Sequence, residues 1–320
     1  MDMIVIVIDA ILLILFVIGL VFTILDFRDR KDQMKLEMGT GGKSKTVKSI
    51  IISVVFSMLD TIGIGCYAPM TACFKIFRVT RDKYIPGTLM MGCYAWNTLS
   101  ALIYIQTVDV EPITLATVLI ISAIGSYAGG FFIYKLDVNK LRIGMGVVLV
   151  IVAIVMVLGM LGITGTGGES NGVEGLKLVA LAIIAFALGI LTNIGIGVYA
   201  PLLAVVTLLG MGATYAYPVM MGCSSIVTTV AAIHFAQESR KSERPLYDRK
   251  TALYMMLTGW IGVLIGYSLV SMMSIDVLKA VVVVVVFYTA ALLLYQGIKK
   301  KADKVAEAED AEMGLSDSSQ

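Results

Sequence analysis

The sequence has few charged residues and only one histidine. Charged side chains make up 15% of its 320 residues, whereas a soluble globular protein uses about 25%. A single histidine, without an HExxH or GxSxG motif or a cluster of carboxylates, argues against a membrane enzyme. The four cysteines lack the spacing of a disulfide or zinc framework, and a net charge of +2 does not indicate a nucleic-acid partner. We therefore expect a non-enzymatic protein without a cofactor or a bound metal.

Long apolar segments dominate the rest of the sequence. Hydrophobic residues make up 58% of the chain, and the mean hydropathy is +0.90. A helix needs about 20 apolar residues to cross a bilayer, and the sequence lacks the alternating strands of a membrane barrel. These features predict an all-α polytopic membrane protein whose partner is the lipid bilayer. Its spans are expected at 3–25, 86–107, 112–134, 143–162, 213–236, 250–272 and 275–298.

The two ends of the chain differ in charge. No basic residue precedes the first apolar run and no small-residue cleavage site follows it, so 1–27 is interpreted as a retained transmembrane helix rather than a signal peptide. The basic segment 28–46 marks the cytoplasmic side of the membrane. Residues 299–320 begin with three lysines and are rich in Ala, Glu, Asp and Ser, which predicts a disordered cytoplasmic tail. The amino terminus is thus expected outside the plasma (inner) membrane.

The chain contains a duplication. The segment IGIGCYAP at 62–69 returns 132 positions later as IGIGVYAP at 194–201, with one of eight residues changed. The similarity continues through a shared Met-Met-Gly-Cys and fades toward the end of each copy. It defines two repeats, 47–162 and 177–298, and a glycine-rich linker, 163–176, which carries no net positive charge and is expected outside.

Equivalent loops of the two repeats carry opposite charge patterns. The loop after the first signature holds four basic residues between Lys75 and Lys83, while its counterpart, 209–217, holds no charge. The next pair of loops reverses this difference, because 107–111 has two acids and 237–250 has five basic residues. By the positive-inside rule, equivalent loops face opposite sides of the membrane. The repeats are therefore predicted to be inverted.

Inversion restricts the geometry of the signature segment. Each repeat needs an odd number of crossings, and three helices follow each signature, so the signature must enter and leave on one side. The arms at 47–59 and 66–77 are 13 and 12 residues long, about 20 Å of helix each. This favours a broken, re-entrant hairpin with its tip near the midplane. Two tilted full spans would satisfy the same parity.

Such broken helices build substrate sites in transporters with inverted repeats. Helices that begin near Cys66 and Val198 would direct their positive N-terminal ends at a cavity, which favours an anion. Pro69 and Pro201 fall in the first turn of these helices, where a missing N–H is tolerated. The alternative role for the signature glycines is close helix packing. The predicted site glycines are Gly63, Gly65, Gly195 and Gly197.

Polar residues beside the breaks are further candidates. Asp60 is an acid at membrane depth, which suggests proton coupling or a gate, although a satisfied polar contact or an aqueous vestibule would also explain it. Its repeat partner is Thr192, so the role would belong to one copy only. Thr61 and Asn193 are donors at equivalent positions and suit either an oxyanion or a helix cap.

Two equivalent cysteines follow the shared Met-Met-Gly. Cys93 and Cys223 would lie near the pseudo-twofold axis and contact a sulfur-containing ligand, or they would serve as small buried hydrophobes. Asn97 lies one turn along from Cys93 and is included in the predicted site.

The arrangement resembles the TauE/SafE sulfite exporter family of bacterial and archaeal permeases over 47–298. The resemblance rests on two halves that each open with a glycine-rich break and an Ala-Pro helix, followed by a proline and a Gly-Cys stretch. It implies transport of sulfite, thiosulfate or a small organosulfonate such as sulfoacetate, coupled to a proton or Na⁺ gradient. An ion channel and a carrier of another small substrate are the alternatives. By position, the implied binding residues are Gly63, Gly65, Tyr67, Pro69, Gly195, Gly197, Tyr199 and Pro201, with Asp60 and Cys66 distinguishing the first copy.

Overall fold

The computed structural model describes residues 3–32, 42–132, 138–160, 168–192, 197–241 and 246–312. Within these ranges the regular secondary structure is eleven α-helices and a short 3₁₀ helix, Asp82–Tyr84. The α-helices are α1 (Met3–Asp29), α2 (Gly42–Ile62), α3 (Tyr67–Ile76), α4 (Ile85–Thr107), α5 (Pro112–Phe132), α6 (Val138–Met160), α7 (Gly175–Thr192), α8 (Tyr199–Leu208), α9 (Ala213–Lys241), α10 (Arg249–Ser271) and α11 (Ile275–Glu312).

Six of the described helices are long and apolar enough to cross a membrane: α1, α5, α7, α9, α10 and α11. Their outer faces carry large apolar side chains such as Ile14 on α1, which is 59% exposed. The interior contains many small and hydroxyl residues, as expected where helices associate in lipid without a hydrophobic driving force. The prediction of an all-α fold is confirmed, and six long apolar helices are compatible with a multi-span membrane protein. The expected spans at 86–107 and 143–162 are not among these six helices.

The closest helix contacts join one repeat to the other. A Cβ on Gly262 of α10 would lie 2.1 Å from the Val54 carbonyl oxygen of α2. A Cβ on Gly125 of α5 would lie 2.2 Å from the Phe186 carbonyl oxygen of α7. Gly125 and Gly262 are equivalent residues of the two repeats, 137 positions apart. Only glycine permits such backbone contact, so the first helix of each repeat packs against the fourth helix of the other.

The equivalent helices α4 and α9 run antiparallel. Near the start of α4, a Cβ on Gly87 would lie 3.1 Å from Phe235, late in α9. Toward the end of α4, the Ser100 hydroxyl lies 3.4 Å from the sulfur of Met221, early in α9. Residues later in α4 therefore contact residues earlier in α9, as antiparallel helices require.

Two other helix pairs run parallel, because residues later in one helix contact residues later in the other. In α2 and α10, Ser53 donates to the Met255 carbonyl at 3.1 Å and Thr61 faces Gly266. In α5 and α7, Thr114 donates to the carbonyl of Val173, just before α7, and Ser122 faces Gly189.

In each repeat, the short second arm of the break returns to the start of the first. The Lys48 ammonium of α2 donates to the Phe77 carbonyl at the end of α3 (3.4 Å), and the Lys177 ammonium of α7 donates to the Leu209 carbonyl at the end of α8 (2.8 Å). Phe77 and Leu209 are equivalent, 132 positions apart. Both pairs therefore form hairpins.

The arms of these hairpins are unequal, unlike the 12- and 13-residue arms expected from the sequence. The first arms have 21 and 18 residues and the second arms have 10 each. Ten helical residues extend about 15 Å, too short to cross a bilayer. Helix α2 is longer than expected because it begins at Gly42, within the basic segment before the first repeat, and continues to Ile62.

The extra helix α1 is attached to the second repeat by a buried ion pair. The Arg249 guanidinium at the start of α10 donates to the Asp26 carboxylate at 2.9 Å, and both side chains are at most 1% exposed. The Tyr247 hydroxyl donates to the same carboxylate. A buried pair of this kind holds α1 in one position against α10, because a displaced α1 would leave a buried charge without its partner.

The carboxyl-terminal helix is longer than expected. Helix α11 continues to Glu312, so 299–312 is helical in the structure where the composition predicted disorder. The rest of the predicted tail, 313–320, lies outside the described residues.

Candidate functional site

The first break begins with a Schellman motif at the end of α2. The Gly63 N–H donates to the Asp60 carbonyl at 2.9 Å, and the Ile64 N–H donates to the Leu59 carbonyl at 3.0 Å. Gly63 has φ +104°, the left-handed conformation that this motif requires. The glycine at this position therefore ends a helix, and its role as exposed ligand-binding backbone is not supported.

Two tyrosines complete the end of α2. The Tyr104 hydroxyl donates to the Thr61 carbonyl at 3.0 Å, and the Tyr217 hydroxyl donates to the Ile62 carbonyl at 2.7 Å. Their rings stack with centroids 5.1 Å apart. With the Schellman bonds, each of the last four carbonyls of α2 now accepts a hydrogen bond. No sequence pattern indicated this pair, since their helices meet α2 only in the fold.

The short helices α3 and α8 begin with free backbone donors. Their N-cap residues, Cys66 and Val198, make no side-chain capping bond. Among the described residues, none accepts a hydrogen bond from the N–H groups of the first two positions in either helix. The third position is a proline, which has no N–H. These four donors belong to Tyr67, Ala68, Tyr199 and Ala200.

The four residues that carry these donors line one cavity, which we name the break cavity. It is partly open and has a volume of about 40 Å³, enough for at least one water-sized group. Helix α11 covers it from the side. The lining residues are Ile64, Gly65, Tyr67, Ala68, Pro69, Gly197, Tyr199, Ala200, Tyr288, Thr289, Leu292, Leu293 and Gln296.

The structure brings together most of the predicted signature residues. Gly65, with φ +82°, lies at the cavity wall, and a Cβ there would first meet Tyr199 at 4.0 Å. Across the cavity, a Cβ on Gly197 would lie 3.5 Å from the Tyr67 ring. Pro201 is buried in the first turn of α8 and does not line the cavity. The other two predicted residues of this segment, Asn193 and Gly195, lie outside the described residues.

Asp60 connects the two repeats beside this cavity. Its Oδ1 accepts a hydrogen bond from the Cys66 N–H at 2.8 Å, and its Oδ2 accepts one from the Tyr199 hydroxyl at 2.9 Å. The side chain is 1% exposed. A carboxylate at a helix N terminus is in a favourable position, so Asp60 serves as the cap that the Cys66 side chain does not provide.

Two further polar side chains face this buried region with unused hydrogen-bonding groups. The Asn97 amide donates to the Tyr67 hydroxyl at 3.4 Å and to the Ser224 hydroxyl at 3.2 Å. Its Oδ1 has no partner among the described residues, and neither has the Nε1 of Trp96, whose indole lies near Asp60. Asn97 and Trp96 are at most 1% exposed. Buried groups without partners indicate space for a ligand or water.

The remaining predicted residues are separated. Cys93 lies beside Cys66, whereas Cys223 packs in another part of the core beside Ser122. The equivalent cysteines are therefore not joined at one site. The Thr61 hydroxyl donates to the Ser57 carbonyl of its own helix at 2.8 Å, so it is turned away from the cavity.

The described lining of the break cavity contains no lysine, arginine or histidine. The nearest ionisable carboxylate is Asp60, and it takes part in no ion pair among the described residues. The polar side chains of this lining are Tyr67, Tyr199, Tyr288, Thr289 and Gln296. In comparisons with known proteins, the chain matches no protein-family model, no curated protein and no solved structure.

Proposed function

We propose that the protein is a secondary transporter for a small anion, bound in the break cavity between two inverted repeats. The observation that carries the proposal is that one cavity is lined by the first residues of a short helix from each repeat, whose N–H groups have no acceptor among the described residues. The plasma (inner) membrane is its location, with the amino terminus outside and the carboxyl terminus in the cytoplasm. Membership of the TauE/SafE family is part of the proposal and is supported by the repeated GIGxYAP signature.

The cavity suits an anion with several acceptor oxygens. Each helix N terminus acts as about half a positive charge, and α3 and α8 each present two free N–H groups. A space of about 40 Å³ fits the head of a sulfite, thiosulfate or sulfonate. Binding by neutral dipoles, without a fixed cation, also allows the anion to leave, which a carrier requires.

The directions of the helices support an inverted arrangement. Equivalent helices α4 and α9 are antiparallel, while α2 and α10 are parallel, as are α5 and α7. An inversion of one repeat relative to the other requires this combination. Transporters of this class alternate access by moving one repeat against the other around a fixed midplane site.

Transport can be tested in proteoliposomes with radiolabelled thiosulfate. A carrier predicts saturable uptake and counterflow, whereas flux that rises linearly with concentration would indicate a channel. Gly197→Val fills the cavity opposite Tyr67 and is expected to abolish uptake without loss of folded protein. The matched control is Gly144→Val, because a Cβ on Gly144 meets nothing within 4 Å. Normal uptake by Gly197→Val would rule out the break cavity as the site.

The inverted topology has its own test. Single cysteines at Arg81 and Thr214, introduced together with Cys73→Ser, are labelled in intact cells with a membrane-impermeant maleimide. We expect label at position 214 from outside, and label at position 81 only after permeabilisation. Labelling of both positions from the same side would contradict the inversion.

A further inference from the structure

The charge of Asp60 conflicts with an anionic substrate. Its carboxylate holds the Cys66 N–H at the start of α3 and the hydroxyl of Tyr199 at the start of α8. Both groups lie directly beside the two half-sites that would bind the anion. An ionised Asp60 and a bound anion would thus be like charges in one buried region, where both cannot remain ionised without a large penalty.

Among the described residues, the surroundings of Asp60 contain no positive group to relieve this conflict. Helix α3 and its N-cap contribute Cys66 and Tyr67, α4 contributes Cys93 and Trp96, and α8 contributes Tyr199. Helix α10 meets this end of α2 through Gly266, which packs on Thr61. None of these groups is a cation. The charge on Asp60 can therefore be removed by a proton, or balanced by a metal ion that enters with the substrate.

The geometry at the end of α2 argues against a sodium ion. Sodium sites at broken helices use carbonyls from the C-terminal end of a half-helix. In this protein, each of the last four carbonyls of α2 already accepts one hydrogen bond, two of them from Tyr104 and Tyr217, so a sodium ion would have to compete with these donors. Both oxygens of Asp60 likewise accept bonds from donors. A proton needs no ligand shell, and it fits without rearrangement of this end of the helix.

We propose that Asp60 acts as a tethered anion beside the empty cavity, where it holds one donor at the start of each short helix, and that it takes up one proton when the substrate anion binds. This inference rests on the proposed transport of an anion. The proton comes from water on the side that the cavity faces, and it forms an O–H bond on the Asp60 carboxyl. When the anion leaves on the other side, the proton returns to water and the carboxylate regains the Cys66 N–H and the Tyr199 O–H.

The second repeat fixes the stoichiometry at one proton. The residue equivalent to Asp60 is Thr192, whose hydroxyl donates to the Leu188 carbonyl of its own helix at 2.9 Å. It carries no charge and does not compete with an anion. Proton and anion therefore cross together in a ratio of one to one, with Asp60 as the coupling residue among the described residues.

The test uses the purified full-length chain and two probes, thiosulfate and methanesulfonate, which stay ionised between about pH 5 and pH 8. Above the pH at which Asp60 ionises in the empty protein, affinity for either probe is expected to fall about tenfold per pH unit. Asp60→Asn should bind both probes with an affinity that does not change with pH. The control is Asp9→Asn, which removes an acid on α1 that bonds Gln106, and it should keep the pH dependence of the unaltered protein.

A second measurement needs no variant. Addition of either probe to the unaltered protein in weakly buffered solution should raise the pH, with about one proton taken up per anion bound. Binding without proton uptake and with constant affinity would overturn the inference and leave anion binding intact. Binding of neither probe at any pH would overturn the proposed function as well. A requirement for sodium ions would also contradict the proposed proton.

Discussion

The two copies of the break share a backbone but differ in chemistry. In both, a short helix begins with Tyr-Ala-Pro, starts with free N–H groups, and ends where a lysine from the first arm reaches its last carbonyl. The first copy adds a carboxylate, Asp60, that caps its own short helix and bonds Tyr199 of the second. The second copy has Thr192 at this position. Duplication thus gives both copies the same backbone, and the difference between Asp60 and Thr192 gives a carboxylate at this position to the first copy alone.

The largest expected effect is a loss of stability on replacing the glycines where helices touch, and this loss should be equal in the two copies. Gly125→Val and Gly262→Val each place a side chain where a Cβ would already lie within 2.2 Å of a carbonyl oxygen of the facing helix. The helices must separate, and we expect a loss of at least about 3 kcal/mol for each change. Thermal unfolding with size-exclusion chromatography measures this loss.

Gly144→Val is the control for these two changes, because its Cβ would meet nothing within 4 Å. If only one of the two equivalent substitutions destabilised the protein, the packing of the repeats would not be symmetric.

A smaller and unequal effect is expected at the equivalent tyrosines. Tyr199→Phe removes a hydrogen bond to a buried carboxylate, which contributes about 1.5–3 kcal/mol. Tyr67→Phe removes a long bond from Asn97, which keeps Ser224 as an acceptor, and should cost about 1 kcal/mol or less. Thermal unfolding of both variants near neutral pH measures the difference.

Double-mutant cycles with Asp60→Asn distinguish the roles of the two tyrosines further. A double-mutant cycle between Asp60→Asn and Tyr199→Phe should show coupling, while the cycle with Tyr67→Phe should show little. Equal coupling in both cycles would mean that the copies are chemically alike.

The positions of the two breaks could be predicted from the sequence. The GIGxYAP repeat located both breaks, and Gly65, Tyr67, Pro69, Gly197 and Tyr199 do line one cavity. Apolar length and loop charge are strong signals because the bilayer sets the length of a helix and restricts where charges can lie. The different roles of Gly63 and Gly65 in the first break could not be predicted from the sequence. Gly63 ends a helix and Gly65 faces the cavity, a difference that depends on backbone conformation.

Residues joined only by the fold were missed or misplaced. Tyr104 was not a candidate for the site, yet it is 2% exposed and caps α2 with Tyr217. Cys93 and Cys223 were grouped because they are equivalent, but equivalent residues in two repeats need not meet. Such contacts depend on how antiparallel helices such as α4 and α9 are aligned, and no local pattern in the sequence reports that alignment.

The smallest expected effect lies where the short helices end. Both finish with the same Schellman bonds, and the residue with positive φ is Arg78 in the first copy (φ 49°) and Gly210 in the second (φ 104°). A non-glycine residue in this conformation costs about 1 kcal/mol. Arg78→Gly should therefore stabilise the protein by up to about 1 kcal/mol in thermal unfolding, whereas Gly210→Ala should destabilise it by a similar amount. Two changes of the same sign would show that the side chain of Arg78, rather than its backbone, decides the stability of this turn.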